Sequence, residues 1–145
     1  MDVFVYGTLT EPARVRDLLD SFAFVGAATL SGLRVVEGRY PTLAPPTGDG
    51  SVADDPAVGG RLLRVDEDGL AALDEYEGVA DDLYVRVPVP LFDAEGERDG
   101  AVATYVGDPT RLGAEATWPG SGPFPDRVRR YLSTHDVRVR LRPEG

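Results

Sequence analysis

The sequence predicts a mixed α/β (α+β) fold in which a largely antiparallel β-sheet packs with two or three helices. About six short stretches rich in β-branched and apolar residues are spread along the 145 residues. Only two or three stretches carry apolar residues at helical spacing. Few long helical crossovers separate the strands, so most neighbouring strands should be antiparallel. Closure into a small barrel would remove exposed sheet edges, and the sequence pattern alone does not show it.

The N-terminal part predicts a strand, a helix and then further strand. Residues 2–6 form a short apolar run that ends at Gly7, which is typical of a buried strand. Thr10 is a candidate N-cap for a helix over about residues 11–20, with Pro12 near its first turn and apolar residues at helical spacing. Residues 24–36 are apolar but interrupted by glycines, and they predict one bent strand or two.

The middle of the chain predicts a long loop followed by a strand and a second helix. Residues 44–56 hold three prolines, two glycines and three aspartates, a composition and length that fit a lid or an insertion. Residues 58–65 resume as a strand. Asp66 then caps the second helix, whose first turn is acidic, and Gly78 ends it.

The C-terminal part predicts two more strands, a helix and a final short segment. Residues 83–91 and 100–106 are expected to be strands. A stretch rich in glycine and proline then leads into a helix that carries Val128, Tyr131 and Leu132. Residues 137–141 are either a last strand or an arm. Because no internal repeat or domain boundary is visible, we expect residues 1–145 to form a single domain.

Composition and charge exclude several classes of protein. The chain has 25 acidic and 15 basic residues, a net charge of −10, and such a surface repels nucleic acid. It has no cysteine and one histidine, so disulfides, thiolate nucleophiles and histidine-rich metal sites are not expected. Neither a signal peptide nor a membrane-spanning run is visible, which predicts a cytoplasmic protein without membrane contact. All basic residues are Arg, a mix typical of salt-loving microbes or simply of a GC-rich genome.

Glu77 stands at a position of the second helix where both burial and the helix dipole disfavour an acid. Leu70, Leu73 and Glu77 are spaced i, i+3 and i+7, so the carboxyl lies on the same helical face as two core leucines. Burial and the negative end of the helix dipole both raise the pKa of a carboxyl placed there. Glu77 is therefore a candidate general base. The alternative is that it pairs with an Arg such as Arg86 or caps a loop, and the helical pattern alone favours that structural interpretation.

The strand-to-helix turn at residues 6–9 is a second candidate. Tyr6, Gly7, Thr8 and Leu9 place a flexible glycine and free backbone N–H groups before the next helix. Such a turn can bind a carboxylate or an oxyanion. An ordinary connection between strand and helix explains the same residues equally well.

Other motifs are weaker. Ser121 lies between two glycines, but Pro119 stands where a nucleophile elbow needs a glycine, and His135 is the only available base. The Asp54–Asp55 and Asp81–Asp82 pairs lack the spacing of a calcium loop and are interpreted as solvated loop charge.

Together, these segments resemble the γ-glutamylcyclotransferase-like (AIG2-like) family. The resemblance extends over roughly residues 2–106. Its strongest part is the combination of Tyr-Gly-Thr-Leu at 6–9, Leu-Asp-Glu-Tyr-Glu-Gly at 73–78 and Tyr-Val-Arg at 84–86. Further matching segments are Arg-Tyr-Pro-Thr-Leu at 39–43, Val-Gly-Gly-Arg-Leu-Leu at 58–63 and Ala-Thr-Tyr-Val at 103–106.

The resemblance implies a small β-barrel with a substrate pocket at its mouth and Glu77 as the catalytic acid/base. The implied reaction cyclises a γ-glutamyl group to 5-oxoproline and releases an amine or amino acid, with no cofactor and no metal. Tyr40, Tyr84, Arg86 and Tyr105 are candidates to line the pocket or to serve as structural partners. Because the resemblance and the helical pattern select the same acid, the catalytic interpretation of Glu77 is preferred.

The resemblance leaves the leaving group open. After Leu9 the chain runs Thr-Glu-Pro and lacks the basic Lys-Arg-Gly of some γ-glutamylamine-specific members. The C-terminal third, with Trp-Pro-Gly-Ser-Gly-Pro-Phe at 118–124, matches no specificity signature. The substrate is therefore a γ-glutamyl amino acid, a γ-glutamylamine, glutathione or a γ-glutamylated intermediate. We expect a monomer or weak homodimer. The alternative function is a catalytically silent, small-molecule-binding or stress-associated protein of the same fold.

Overall fold

The computed structural model describes the backbone of residues 1–45, 57–93, 96–114, 116–135 and 137–141, and their side chains except for residues 8, 9 and 98–100. The loop predicted as a lid falls mostly on residues 46–56, which lie outside the described part.

The strands of the described part form a closed barrel and a separate hairpin. They are β1 Asp2–Val5, β2 Ala23–Ser31, β3 Arg34–Val36, β4 Thr42–Ala44, β5 Ala57–Arg64, β6 Tyr84–Asp93, β7 Gly96–Gly107 and β8 Arg138–Leu141. Six of them close in the order β1-β5-β2-β8-β6-β7, and β3 pairs with β4. Two pairings in the barrel, β1–β7 and β6–β8, are parallel, and the other four are antiparallel. The prediction of a largely antiparallel sheet is confirmed, and it is closed.

The described helices lie in the connections between strands. They are α1 Pro12–Leu18, α2 Glu67–Tyr76, α3 Pro109–Leu112 and α4 Phe124–Thr134, with 3₁₀ turns at Gly7–Thr10 and Val79–Asp81. Asp66 caps α2 through a bond that its carboxylate accepts from the Gly69 N–H at 2.8 Å. This cap is the one that the sequence predicts.

The first helix differs from its prediction in length and in its cap. α1 ends at Leu18 because Leu19 is already extended, with φ −124° and ψ 134°. The N-cap position belongs to Glu11, and the Thr10 hydroxyl instead donates to the Gly7 carbonyl oxygen at 2.7 Å. Thr10 cannot cap α1 because the preceding residues form a 3₁₀ turn that uses its hydroxyl.

The other boundaries follow the sequence pattern except where pairing extends a strand. Residues 24–36 form two strands rather than one, separated at Gly32, which has φ +97°. β6 and β7 form a hairpin that runs beyond the predicted ends, since residues 96 and 97 find partners in Asp93 and Phe92. Residues 138–141 form the last strand. α3, β4 and the pairing of β4 with β3 were not predicted, because α3 and β4 are too short to show a period.

Alternate residues of the strands pack into two apolar clusters. Phe4 and Leu62 belong to one, together with Trp118 before α4 and Val128 within α4. Their neighbours Val3, Val5 and Leu63 belong to the other, which Val15 of α1 and Leu73 of α2 complete. Since both faces of the strands are covered, α2 is held against the barrel by its leucines.

Gly60 of β5 lies so close to the end of the neighbouring strand β1 that a side chain there has no room. A Cβ at Gly60 would collide with the Val5 carbonyl oxygen and lie 2.8 Å from the Phe4 ring, whereas a Cβ at Gly59 would meet nothing within 4 Å. We expect Gly60→Ala to lower the free energy of unfolding by about 2 kcal/mol through overpacking. Gly59→Ala, the matched control, should change it by no more than about 0.5 kcal/mol. Urea unfolding measures both, and equal stabilities would show that β1 moves away freely.

Candidate active site

A single pocket collects side chains from the carboxyl ends of β1 and α2 and from the elements beside them. Its volume is about 440 Å³, within the range of small-molecule sites. The residues that line it are Phe4, Val5, Tyr6, Gly7, Arg14, Tyr40, Pro41, Tyr76, Glu77, Leu83, Tyr84 and Tyr105. Most of these side chains are aromatic or aliphatic, and within the described lining Glu77 is the one acid and Arg14 the one base.

Glu77 lies at the carboxyl end of α2, where the chain turns sharply. Its backbone N–H donates to the Leu73 carbonyl oxygen at 2.9 Å, and Gly78 then takes a left-handed conformation with φ +72°. The side chain is half-buried and has no hydrogen bond or ion pair to the described residues. Burial raises the pKa of the Glu77 carboxyl to about 7. A carboxyl with this pKa can accept and return a proton near neutral pH.

Asp74, one turn before Glu77, joins α2 to two strands of the barrel. Its carboxylate accepts a hydrogen bond from Arg86 of β6 at 2.6 Å and another from the Tyr105 hydroxyl of β7 at 2.6 Å. The alternative that Glu77 pairs with Arg86 is therefore wrong, because the Arg86 guanidinium pairs with Asp74. This arrangement holds the last turn of α2 in place and leaves the Glu77 carboxyl facing the pocket.

Buried tyrosines form the walls of the pocket. The Tyr6 hydroxyl donates to the Tyr105 carbonyl oxygen at 2.7 Å, and the Tyr84 hydroxyl donates to the Pro41 carbonyl oxygen at 2.8 Å. Burial, with a further contribution from the nearby Glu77 carboxyl, raises the pKa of Tyr84. Burial and then the bond to Asp74 raise the pKa of Tyr105. These phenols stay protonated and neutral, so they shape the pocket rather than exchange protons with Glu77.

The turn between β1 and α1 presents backbone donors beside the pocket. Gly7 lines the pocket with φ +73° and begins the 3₁₀ turn that also contains Thr8 and Leu9. The first N–H groups of such a turn have no acceptor within it. The end of the turn is fixed, since Arg61 donates to the Thr10 carbonyl oxygen at 2.9 Å and stacks on Phe24 at 4.3 Å.

The structure brings most of the sequence-selected residues together. Tyr6, Gly7, Tyr40, Glu77, Tyr84 and Tyr105 line the pocket. Arg86 does not line it and instead pairs with Asp74, while the side chains of Thr8 and Leu9 lie outside the described part.

Sequence reasoning missed Arg14 and Tyr76. A signal for Arg14 exists, because a cation in the first turn of a helix is disfavoured by the helix dipole. Tyr76 carries no local signal, since an exposed tyrosine at a helix end is common.

Two further observations bear on ligands and membranes. Among the residues that the structure describes, no group of three or more His, Cys, Asp and Glu side chains could hold a metal ion. No helix in the same residues has the length and apolar character needed to cross a bilayer.

The fold and the pocket together define a small closed-barrel protein with a half-buried acid at a site of small-molecule size. Residues 3–122 match the family described as gamma-glutamyl cyclotransferase, AIG2-like. The chain belongs to this γ-glutamylcyclotransferase/AIG2-like family.

Individual relatives agree with this assignment. The chain is 37% identical over 109 residues to AIG2-like protein C of Arabidopsis thaliana, an alignment that covers 72% of this chain and 58% of that protein. It spans 52% and 58% of the length of the two curated Arabidopsis relatives that it matches.

Solved structures share the fold. A structure titled gamma-glutamyl cyclotransferase has a TM-score of 0.58 at 17% identity, with 93% of this chain and 99% of that chain covered. The solution structure of At5g39720.1 from Arabidopsis thaliana has a TM-score of 0.55 at 28% identity, with 92% and 83% covered.

Proposed function

We propose that this protein is a γ-glutamylcyclotransferase that converts a γ-glutamyl amide into 5-oxoproline and a free amine or amino acid. The observation that carries the proposal is the half-buried Glu77 carboxyl, which faces the pocket with a pKa raised to about 7. A base that is ionised near neutrality and not neutralised by a described cation is what the reaction requires. The family membership of the chain supports the same chemistry.

The proposed reaction begins with a proton transfer to Glu77. The ionised carboxyl accepts a proton from the substrate α-ammonium, and the free amine attacks the γ-carbonyl carbon to close a five-membered ring. Protonated Glu77 then donates the proton to the leaving nitrogen, and the bond between that nitrogen and the γ-carbon breaks. The second proton on the new ring nitrogen passes to the released amine, so that a neutral lactam and an ammonium group separate as 5-oxoproline and the protonated amine. Glu77 ends in its starting state, so the cycle needs no further reactant.

The turn at residues 7–10 is proposed to hold the negative charge of the substrate. The first N–H groups of such a turn have no acceptor within it, and the turn begins at Gly7, which lines the pocket. Donors of this kind bind a carboxylate or a developing oxyanion. The bond from Arg61 to Thr10 keeps these donors in position before substrate arrives. Rigid donors need no reorganisation during the reaction.

The tyrosine walls are proposed to favour cyclisation over hydrolysis. Tyr6, Tyr84 and Tyr105 direct their hydroxyls to the backbone or to Asp74, so their rings face the substrate. An apolar wall excludes the water that would otherwise attack the same carbonyl and release glutamate. It also holds the flexible glutamyl chain in the folded form that ring closure needs.

The test is to incubate the purified protein with a panel of γ-glutamyl compounds, at low and at molar salt, and to quantify 5-oxoproline. The panel contains a γ-glutamyl amino acid, a γ-glutamylamine and glutathione. We expect stoichiometric release of 5-oxoproline and the free amine from at least one of them. Absence of 5-oxoproline from every compound, with the protein folded at both salt concentrations, would contradict the proposal and leave a binding function.

A further inference from the structure

Arg14 is a cation at the pocket for which the fold provides no partner. It lies in the first turn of α1, is exposed and lines the pocket. Its guanidinium makes no hydrogen bond or ion pair with the described residues. By contrast, Arg61 binds the Thr10 carbonyl, Arg64 pairs with Asp2 and Arg86 pairs with Asp74. Because the helix dipole also disfavours a cation in this turn, fold stability does not explain Arg14.

We infer that Arg14 binds the carboxylate of the leaving group, so that the preferred substrates are γ-glutamyl amino acids rather than γ-glutamylamines. This inference rests on the proposed function, because it assumes that the glutamyl end of the substrate lies against Glu77. A guanidinium forms short, charge-assisted and frequently bidentate hydrogen bonds with a carboxylate.

The orientation of the substrate assigns Arg14 to the leaving group. The α-ammonium must lie at the half-buried Glu77, and the α-carboxylate is proposed to lie at the N–H groups of the Gly7–Thr10 turn. The leaving group then points to the exposed rim of the pocket, where Tyr40 and Tyr76 are 53% and 43% exposed. Arg14 is the one cation among the described residues of the lining, and the glutamyl part has no remaining anion for it.

The negative charge of the protein makes such a cation favourable for the binding of an acidic substrate. A γ-glutamyl amino acid carries two carboxylates and one ammonium, and a chain of net charge −10 repels it. A γ-glutamylamine with an uncharged side chain is neutral overall and needs no counter-charge. Since Arg14 is exposed, solvent screens its attraction, and we expect it to change the preference by roughly 10-fold rather than by several orders of magnitude.

The experiment compares γ-glutamylalanine with γ-glutamylethylamine, which differ only by the leaving-group carboxylate. The ratio of kcat/KM for the acid to that for the amine is measured at low salt for wild type, Arg14→Gln and Arg16→Gln. Arg16 is the matched control, because it lies on the same helix, is exposed and does not line the pocket. We expect wild type and Arg16→Gln to favour the acid by roughly 10-fold, and Arg14→Gln to bring the ratio near one.

Other outcomes overturn the inference in distinguishable ways. Equal losses for both substrates in Arg14→Gln would mean that Arg14 acts on the shared glutamyl part. No preference in the wild type would also contradict it. If neither compound yields 5-oxoproline, turnover cannot compare them, and calorimetry with the same two compounds then tests Arg14 alone; the proposed function itself fails only if the whole panel yields none. The inference is supported if wild type binds γ-glutamylalanine more tightly than γ-glutamylethylamine and Arg14→Gln abolishes this difference. It is overturned if wild type binds both compounds equally or binds neither detectably.

Discussion

Replacement of Glu77 by Gln is expected to lower kcat/KM for 5-oxoproline release by roughly 10²-fold or more. Gln has nearly the same shape as Glu but cannot accept a proton from the substrate ammonium at neutral pH. The protein should stay folded, because the Glu77 carboxyl makes no hydrogen bond or ion pair with the described residues that the change would break.

The matched control is Glu75→Gln, which makes the same chemical change at an exposed position of the same helix. Its turnover should equal that of wild type. Quantification of 5-oxoproline under saturating and limiting substrate measures kcat and KM separately, and circular dichroism confirms folding. Full activity in Glu77→Gln would remove Glu77 from the mechanism, while an equal loss in both variants would point to a charge effect of the helix.

The second large effect concerns stability as a function of pH. The pKa of Glu77 rises from an ordinary 4.5 to about 7 on folding, so the folded protein binds this proton more tightly than the unfolded chain does. Protonated Glu77 therefore makes its full contribution to the free energy of unfolding below pH 4.5. This contribution is lost as the pH rises to about 7. A shift of this size corresponds to at most about 3 kcal/mol.

Urea unfolding of wild type and Glu77→Gln between about pH 4.5 and pH 8 measures this contribution. All other titratable groups are shared, so the difference between the two free energies of unfolding isolates Glu77. We expect Glu77→Gln to gain stability over wild type as the pH rises, with the change concentrated below about pH 7. A constant difference between wild type and Glu77→Gln would contradict the raised pKa.

The same pKa sets the acid limb of the activity. If Glu77 acts as the base, kcat/KM should fall as the pH drops below about 7, because the carboxyl is then protonated. The acid limb should have its midpoint at about pH 7, which is also where the loss of stability with rising pH levels off, because both report the pKa of Glu77 in the folded protein.

Elements with strong local patterns follow from the sequence. Helix α2 is predictable because its apolar residues repeat at the helical period, Asp66 satisfies its first N–H groups and Gly78 ends it. The same period places Glu77 beside Leu73. The turn at Gly7 is likewise local, since a positive φ there needs a glycine. The motifs at residues 6–9 and 73–78 are local as well, which is why the resemblance to the family is visible without a structure.

Elements that depend on distant partners do not follow from the sequence. Thr10 is a residue type that often caps helices, but it does not cap α1 because its hydroxyl bonds to Gly7 within a 3₁₀ turn. Arg61, 51 residues away, binds the Thr10 carbonyl and holds the end of that turn. The extended ends of β6 and β7 exist because the two strands pair with one another. Local propensity is too weak to decide such cases against long-range pairing.

The sequence by itself determines the mixed α/β class, the largely antiparallel strands, the helix that carries Glu77 and the family to which the chain belongs. The tertiary structure alone decides that the sheet closes and that Arg86 pairs with Asp74 rather than Glu77. It also decides that Arg14 reaches the pocket. The physical reason is that periodicity and capping depend on neighbours within one or two turns. Closure, ion pairing and pocket lining depend on which distant side chains the packed core brings together.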